Sequence, residues 1–146
     1  MDRRIFIKKT CSACLGASVM GGVFSGCLAT HYVSGIWQPT GIQVLKSEFA
    51  FLKEGTTTTR PYIIVKNEKM EYPICLYRFS QNDYAALLMK CTHQGTELQA
   101  SGDHLHCSAH GSEFDNKGQV TQGPAETSLR RFNVTTNDDV LLIELK

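Results

Sequence analysis

Two short runs carry paired metal donors: Cys91-Thr92-His93-Gln94-Gly95 and Cys107-Ser108-Ala109-His110-Gly111-Ser112. Each offers one thiolate and one imidazole. Each places a glycine soon after the histidine, where a backbone can turn tightly around a bound object. Two sulfur and two nitrogen donors suit zinc or an iron–sulfur centre and exclude magnesium and calcium, which take oxygen ligands. On residue type alone a structural Cys2His2 zinc module stays open, as does a disulfide between Cys91 and Cys107 in an exported chain. His104 and His106 alternate on one face of a strand-like run and adjoin Cys107, but the C-x-x-H spacing selects His110 as the donor.

The elements that must position these donors read as β structure. Strand-like runs rich in Val, Ile, Tyr, Phe and Thr cover Gly41–Leu45, Tyr62–Lys66, Ile74–Phe79, Tyr84–Lys90, His104–Cys107, Leu129–Thr135 and Val140–Leu145. Asn116-Lys117-Gly118 and Asn137-Asp138-Asp139 have the composition of loops between paired strands. Gly55–Thr59 is a loop or the start of an edge strand, and residues 100–103 a tight turn. No stretch after residue 40 sustains a helical period with caps. The expectation is a small all-β sandwich of antiparallel sheets. Both donor runs lie in loops at strand ends, Ala85–Lys90 feeding Cys91 and His104–Cys107 feeding His110. The 13 residues between His93 and Cys107 allow one loop out and one returning strand.

The chain has 146 residues, one domain at most, with 15 Lys+Arg, 14 Asp+Glu and 6 Cys. Its near-neutral charge argues against a nucleic-acid surface. Residues 1–26 read as an export signal: Arg3-Arg4-Ile5-Phe6-Ile7-Lys8-Lys9 is a basic start, followed by an uncharged, small and apolar stretch. The paired arginines resemble a twin-arginine signal, with Asp2 where Ser or Thr is commoner. Phe24-Ser25-Gly26-Cys27 resembles a bacterial lipobox, with Phe in place of the usual Leu, which makes Cys27 the candidate lipidation site. An uncleaved anchor helix is the alternative, and either places the domain outside the cytoplasm at a membrane. Cys11 and Cys14 have C-x-x-C spacing but lie inside this segment, not in the strand-to-helix context of a redox motif. Residues 27–40, with Gly35 and Pro39, read as a linker, which leaves 41–146 as the domain. Export would remove four basic residues and one acidic residue, leaving 11 and 13, a net charge of −2. Such a surface could suit a basic redox partner. Cys75, inside Pro73-Ile74-Cys75-Leu76-Tyr77, reads as a small buried hydrophobe.

C-x-H followed by C-x-x-H, over roughly residues 41–146, resembles the Rieske family, whose 2Fe-2S cluster has two Cys on one iron and two His on the other. The resemblance implies Cys91, His93, Cys107 and His110 as ligands, in two loops brought together at the tip of a small β-sandwich. It also implies roles for neighbours. Gly111-Ser112-Glu113-Phe114-Asp115 is similar to the family's segment in which a serine, here Ser112, donates a hydrogen bond to a bridging sulfide and raises the potential. Phe114 stands where high-potential members have a tyrosine donating to a ligand sulfur. Gly123-Pro124-Ala125 resembles the proline loop that covers the cluster. The disulfide joining the two loops of quinol-oxidising members is absent, since its places are held by Thr96 and Ala109.

Neutral imidazoles in place of thiolates remove negative charge from the cluster, so its potential stands above that of an all-Cys ferredoxin. A ring nitrogen not bound to iron keeps a proton whose loss couples to oxidation, so the potential should fall as pH rises. With Ser112 present and the tyrosine donor missing, the expected potential is intermediate. The resemblance implies an electron-transfer protein on the periplasmic or cell-surface side of a bacterial membrane, held by a lipid anchor. It would not itself turn over a substrate. Its partner would be a cytochrome, a quinol-linked complex or an oxidoreductase large subunit. The alternative is an electron-transfer subunit of a larger oxidoreductase, such as an arsenite-oxidase-like enzyme or a divergent quinol oxidase complex.

Overall fold

A computed structural model describes residues 29–146. The export segment, Cys11, Cys14 and Cys27 lie outside the described residues. In chain order the strands are β1 Tyr32–Val33, β2 Ile36–Gln38, β3 Gly41–Leu45, β4 Ala50–Lys53, β5 Thr56–Thr59, β6 Tyr62–Val65, β7 Ile74–Arg78 and β8 Tyr84–Leu88. They continue as β9 Gln99–Ser101, β10 His104–His106, β11 Glu113–Asp115, β12 Val120–Gln122, β13 Arg131–Phe132, β14 Val134–Thr136 and β15 Val140–Glu144. One 3-10 turn, Lys46–Phe49, interrupts them. The all-β sandwich expected from the sequence is what forms. Among the described residues no helix is long and apolar enough to cross a membrane.

The central sheet has the order β1-β6-β7-β8-β13 and is buried on both faces. This explains why β6 and β7 are continuous apolar runs and do not alternate with polar residues. Ile63, Val65, Ile74, Leu76 and Ala86 point into one core, against Ile42 and Val44 of β3 and Leu141 and Ile143 of β15. Ile64, Cys75, Tyr77, Ala85 and Leu87 point into the other, with Leu105, Phe114, Cys91 and Cys107. Cys75 is fully buried, as its sequence setting predicts. Burial pushes its thiol well above the usual range, which keeps it protonated and unreactive.

The first core is closed by the sheet β14-β15-β3-β2. There β3 runs against β15 from Leu45–Val140 to Gly41–Glu144. At Gly41 the strands touch: a Cβ there would lie 1.9 Å from the Ile143 carbonyl oxygen. The second core is closed by the sheet β12-β11-β10-β9. The chain leaves the central sheet after β8, builds this second sheet and returns as β13, which pairs with β8 at Leu87–Arg131 and Ala86–Phe132.

Several elements differ from expectation. Residues 32–33 and 36–38, read as linker, are strands: β1 pairs with β6 and β2 with β3. The β1–β6 pair is parallel, whereas antiparallel sheets were expected throughout. Gly35, at φ +63°, lets the chain turn from one sheet to the other. Thr56–Thr59 is a full strand in a hairpin with β4. The run expected over Leu129–Thr135 breaks at Asn133, because β13 and β14 belong to different sheets. His31, just before β1, is half-buried with Nε2 2.8 Å from Glu48 Oε2.

Candidate metal centre

Strand β8 ends at Leu88, and Lys90 makes a single bridge to Glu97 before the chain turns at Cys91. The Gly95 N–H donates to the Cys91 carbonyl at 2.8 Å and the Cys91 N–H to the Thr96 carbonyl at 2.8 Å. The second run repeats this pattern. The Gly111 N–H donates to the Cys107 carbonyl at 2.9 Å, and the Cys107 N–H to the Ser112 carbonyl at 2.8 Å. Both glycines have positive φ, +76° at Gly95 and +79° at Gly111, a conformation other residues adopt at a cost. Each cysteine therefore heads the same closed six-residue turn, and Thr96 and Ser112 are equivalent positions at its end.

The two turns face one another. The imidazoles of His93 and His110 are 5.1 Å apart, edge to face. Both histidines are exposed, whereas Cys91 and Cys107 are each 2% exposed. Sulfur lies inside and nitrogen outside. Burial alone would raise the Cys107 thiol. The backbone N–H groups of Ala109 and His110, with the Cys91 and Thr96 side chains, outweigh it and hold the thiol below its ordinary range. Both cysteines are free thiols.

A third loop ties the turns together. Buried Ser112 accepts, on Oγ, a hydrogen bond from the Ala125 N–H at 3.0 Å. The Thr92 hydroxyl donates to the Thr127 carbonyl at 2.7 Å, and Gln122 Nε2 to the Gly111 carbonyl at 2.8 Å. Gly123 and Pro124 sit between these anchors, joined by a cis peptide bond. Phe114 is fully buried in the core that contains both cysteines. Sequence reasoning missed Thr92, Gln122 and Thr127, whose polar loop types carry no distinguishing pattern. It left aside His104 and His106, whose rings lie 6.3 Å apart on β10, facing Asp115 and Glu113 of β11.

A model of the Rieske [2Fe-2S] domain matches residues 38–133, most of the folded chain. The chain belongs to the Rieske family. It is 36% identical over 56 residues to the cytochrome b6-f complex iron-sulfur subunit of Prochlorococcus marinus (strain MIT 9515), covering 37% of this chain and 32% of that one. It is 39% identical over 54 residues to the subunit of the same name from Trichodesmium erythraeum (strain IMS101), covering 36% of this chain and 30% of that one. The chain spans about a third of the length of these curated relatives. In fold it is similar to the cyanobacterial plasma membrane Rieske protein PetC3 from Synechocystis PCC 6803, with a TM-score of 0.50 at 22% identity over 57% of this chain and 86% of that one.

The cofactor of the domain is a Rieske-type 2Fe-2S cluster, and the site fits it. Two buried thiols face inward and two exposed imidazoles face outward. Mononuclear zinc requires all four donors around one point, whereas a binuclear centre asks for two pairs. Ser112 leads to one prediction. Its oxygen accepts from Ala125, which leaves its own hydrogen to donate. A hydrogen bond to the more negative, reduced cluster stabilises that state. Ser112→Ala is expected to lower the potential by roughly 60–130 mV, equivalent to losing about 1.5–3 kcal/mol of hydrogen bonding to a charged group. Redox titration followed by EPR measures it. An unchanged potential would show that the hydroxyl donates elsewhere.

Proposed function

We propose that this Rieske protein carries one electron at a time, on a cluster held by Cys91 and Cys107 at the buried iron and by His93 and His110 at the exposed one, and passes it to a protein partner outside the cytoplasm. The observation that carries the reading is the split in burial: buried sulfurs behind, exposed imidazoles in front and 5.1 Å apart. When bound, the cluster supplies reversible one-electron chemistry between its two oxidation levels. The chain supplies the rest. The turns headed by Cys91 and Cys107 fix the donors, Ser112 and the loop through Gly123 and Pro124 wall off one side, and the imidazoles shorten the path to a partner.

Export and anchoring rest on the paired arginines and on Cys27 within residues 1–27. The cytochrome b6-f subunit names of the curated relatives support a second reading, in which the protein serves as the electron-transfer subunit of a membrane redox complex. The absent disulfide brace and Phe114 in the tyrosine position favour the simpler carrier of intermediate potential.

Composition and spectra test the proposal. The purified protein is expected to be red-brown, with two irons and two sulfides per chain. Its reduced form should give an EPR signal with the low average g of mixed Cys and His ligation. A colourless protein with one bound zinc would overturn it.

A further inference from the structure

Beside the exposed His93 lies a cleft of about 550 Å³ that the electron-carrying role leaves unassigned, lined by Tyr72, Lys90, Thr92, His93, Thr127 and Arg130 among others. Its two charged lining groups, Lys90 and Arg130, are both cationic. Neither is neutralised: among the described residues no Lys or Arg forms an ion pair with a carboxylate, the only pairs being those of His31 and His104.

Both cations are also held in place. The Lys90 ammonium sits 4.7 Å from the centre of the Tyr72 ring. Its stem passes Gly95 so closely that a Cβ there would come within 3.2 Å of Lys90 Cε. The Arg130 guanidinium stacks 4.8 Å from the Phe132 ring. Stacking on an aromatic face positions a cation while leaving its hydrogen-bond donors free. The Thr92–Thr127 hydrogen bond closes the floor between them. Glu97, the bridge partner of Lys90, does not line the cleft or pair with the ammonium, and Glu71 and Glu126, near in sequence, do not line it either. A chain predicted to be mildly acidic overall thus presents two ordered positive charges in the cleft that His93 lines.

We propose that this cleft is a docking site for an acidic segment of the redox partner, whose carboxylates bridge Lys90 and Arg130 and bring the partner's centre against His93. The proposal rests on the reading of His93 as an exposed cluster ligand. It also reverses the earlier expectation of a basic partner, because the field at the point of contact outweighs the sum over the surface.

The test is the oxidation of the reduced, cluster-loaded protein by ferricyanide, an anion, and by tris(phenanthroline)cobalt(III), a cation, in stopped flow at low and high salt. The expected result is a ferricyanide rate that falls with salt. The double variant Lys90→Gln with Arg130→Gln should slow it roughly tenfold at low salt and remove most of the salt dependence. Its rate with the cobalt complex should be unchanged or faster. A polyglutamate peptide should slow ferricyanide oxidation of the parent protein and not of the double variant. An unaltered salt dependence in the double variant would overturn the proposal. So would binding to phosphatidylglycerol vesicles that needs both cations while polyglutamate has no effect, which would assign the cleft to lipid headgroups. Both residues are exposed, so the variants test charge and not folding. Visible and EPR spectra recorded first separate the two readings: a parent without a Rieske spectrum sinks the ligand assignment, whereas intact spectra with unchanged kinetics sink only the docking site.

Discussion

Cys107→Ser is expected to give a colourless protein with close to no iron or sulfide in place of two of each, while Cys75→Ser keeps its full complement. The two thiols differ in every respect that decides iron binding. Cys107 receives the backbone N–H groups of Ala109 and His110 and lies below its ordinary range, which favours the thiolate that binds metal. Cys75 is held within β7 with its thiol pushed up by burial. A serine at 107 replaces a soft thiolate by an alcohol that stays protonated at neutral pH. The serine at 75 trades one buried weak donor for a stronger one, at about 1–3 kcal/mol if it finds no partner. Iron and sulfide assay with the visible spectrum reads both outcomes. Cluster retained by Cys107→Ser, or lost from a folded Cys75→Ser, would contradict the assignment.

The largest loss of stability is expected far from the iron, at Gly41. Its new methyl carbon in Gly41→Ala would start 1.9 Å from the Ile143 carbonyl oxygen and 2.8 Å from the carbonyl carbon, both of them backbone atoms that no rotamer change can move. Relief requires β3 and β15 to part at one end of a five-pair ladder, and those strands carry Ile42, Val44, Leu141 and Ile143, all at most 2% exposed. The cost should reach about 3 kcal/mol or more, a fall in Tm on the order of 10 °C. Gly55→Ala is the comparison. No atom lies within 4 Å of the added carbon there, so only the strain of its φ of +80° remains, about 1 kcal/mol. Thermal unfolding by circular dichroism compares the two, and equal shifts would mean that the β3–β15 contact is looser than described.

The donors were the most legible part of the chain, because cluster chemistry restricts residue type and spacing together: C-x-H and C-x-x-H are local patterns. The long central strands were legible for a similar reason. A strand buried on both faces must be apolar throughout, as Ile63-Ile64-Val65 and Ile74–Tyr77 are. What escaped is what depends on distant partners. Strands β9, β11 and β12 have three residues each, too few for an alternation to stand out. Strands β1 and β2 follow the stretch read as an export signal and leave Tyr32, Ile36 and Trp37 exposed, so they resemble linker in composition; pairing with β6 and β3 makes them sheet. Phe114 and Ser112 could be placed by their motif, but the Ser112–Ala125 and Thr92–Thr127 bonds join residues 13 and 35 apart and have no local signature. The same holds for Thr96, which comes from the opposite turn to help hold the Cys107 thiol low.

The departure of the chain after β8 and its return at β13 has a modular consequence. Residues 89–130 leave and re-enter on adjacent strands, with the Leu88 N–H bonded to the Arg130 carbonyl at 2.9 Å. To the sheet beneath, the whole electron-carrying unit is topologically one very long hairpin loop. In the backbone the unit is joined to the scaffold at a two-strand socket, but its side chains form half of a shared core: Leu105 and Phe114 pack with Ile64, Cys75, Tyr77 and Leu87, so excising it would strip one face of the central sheet.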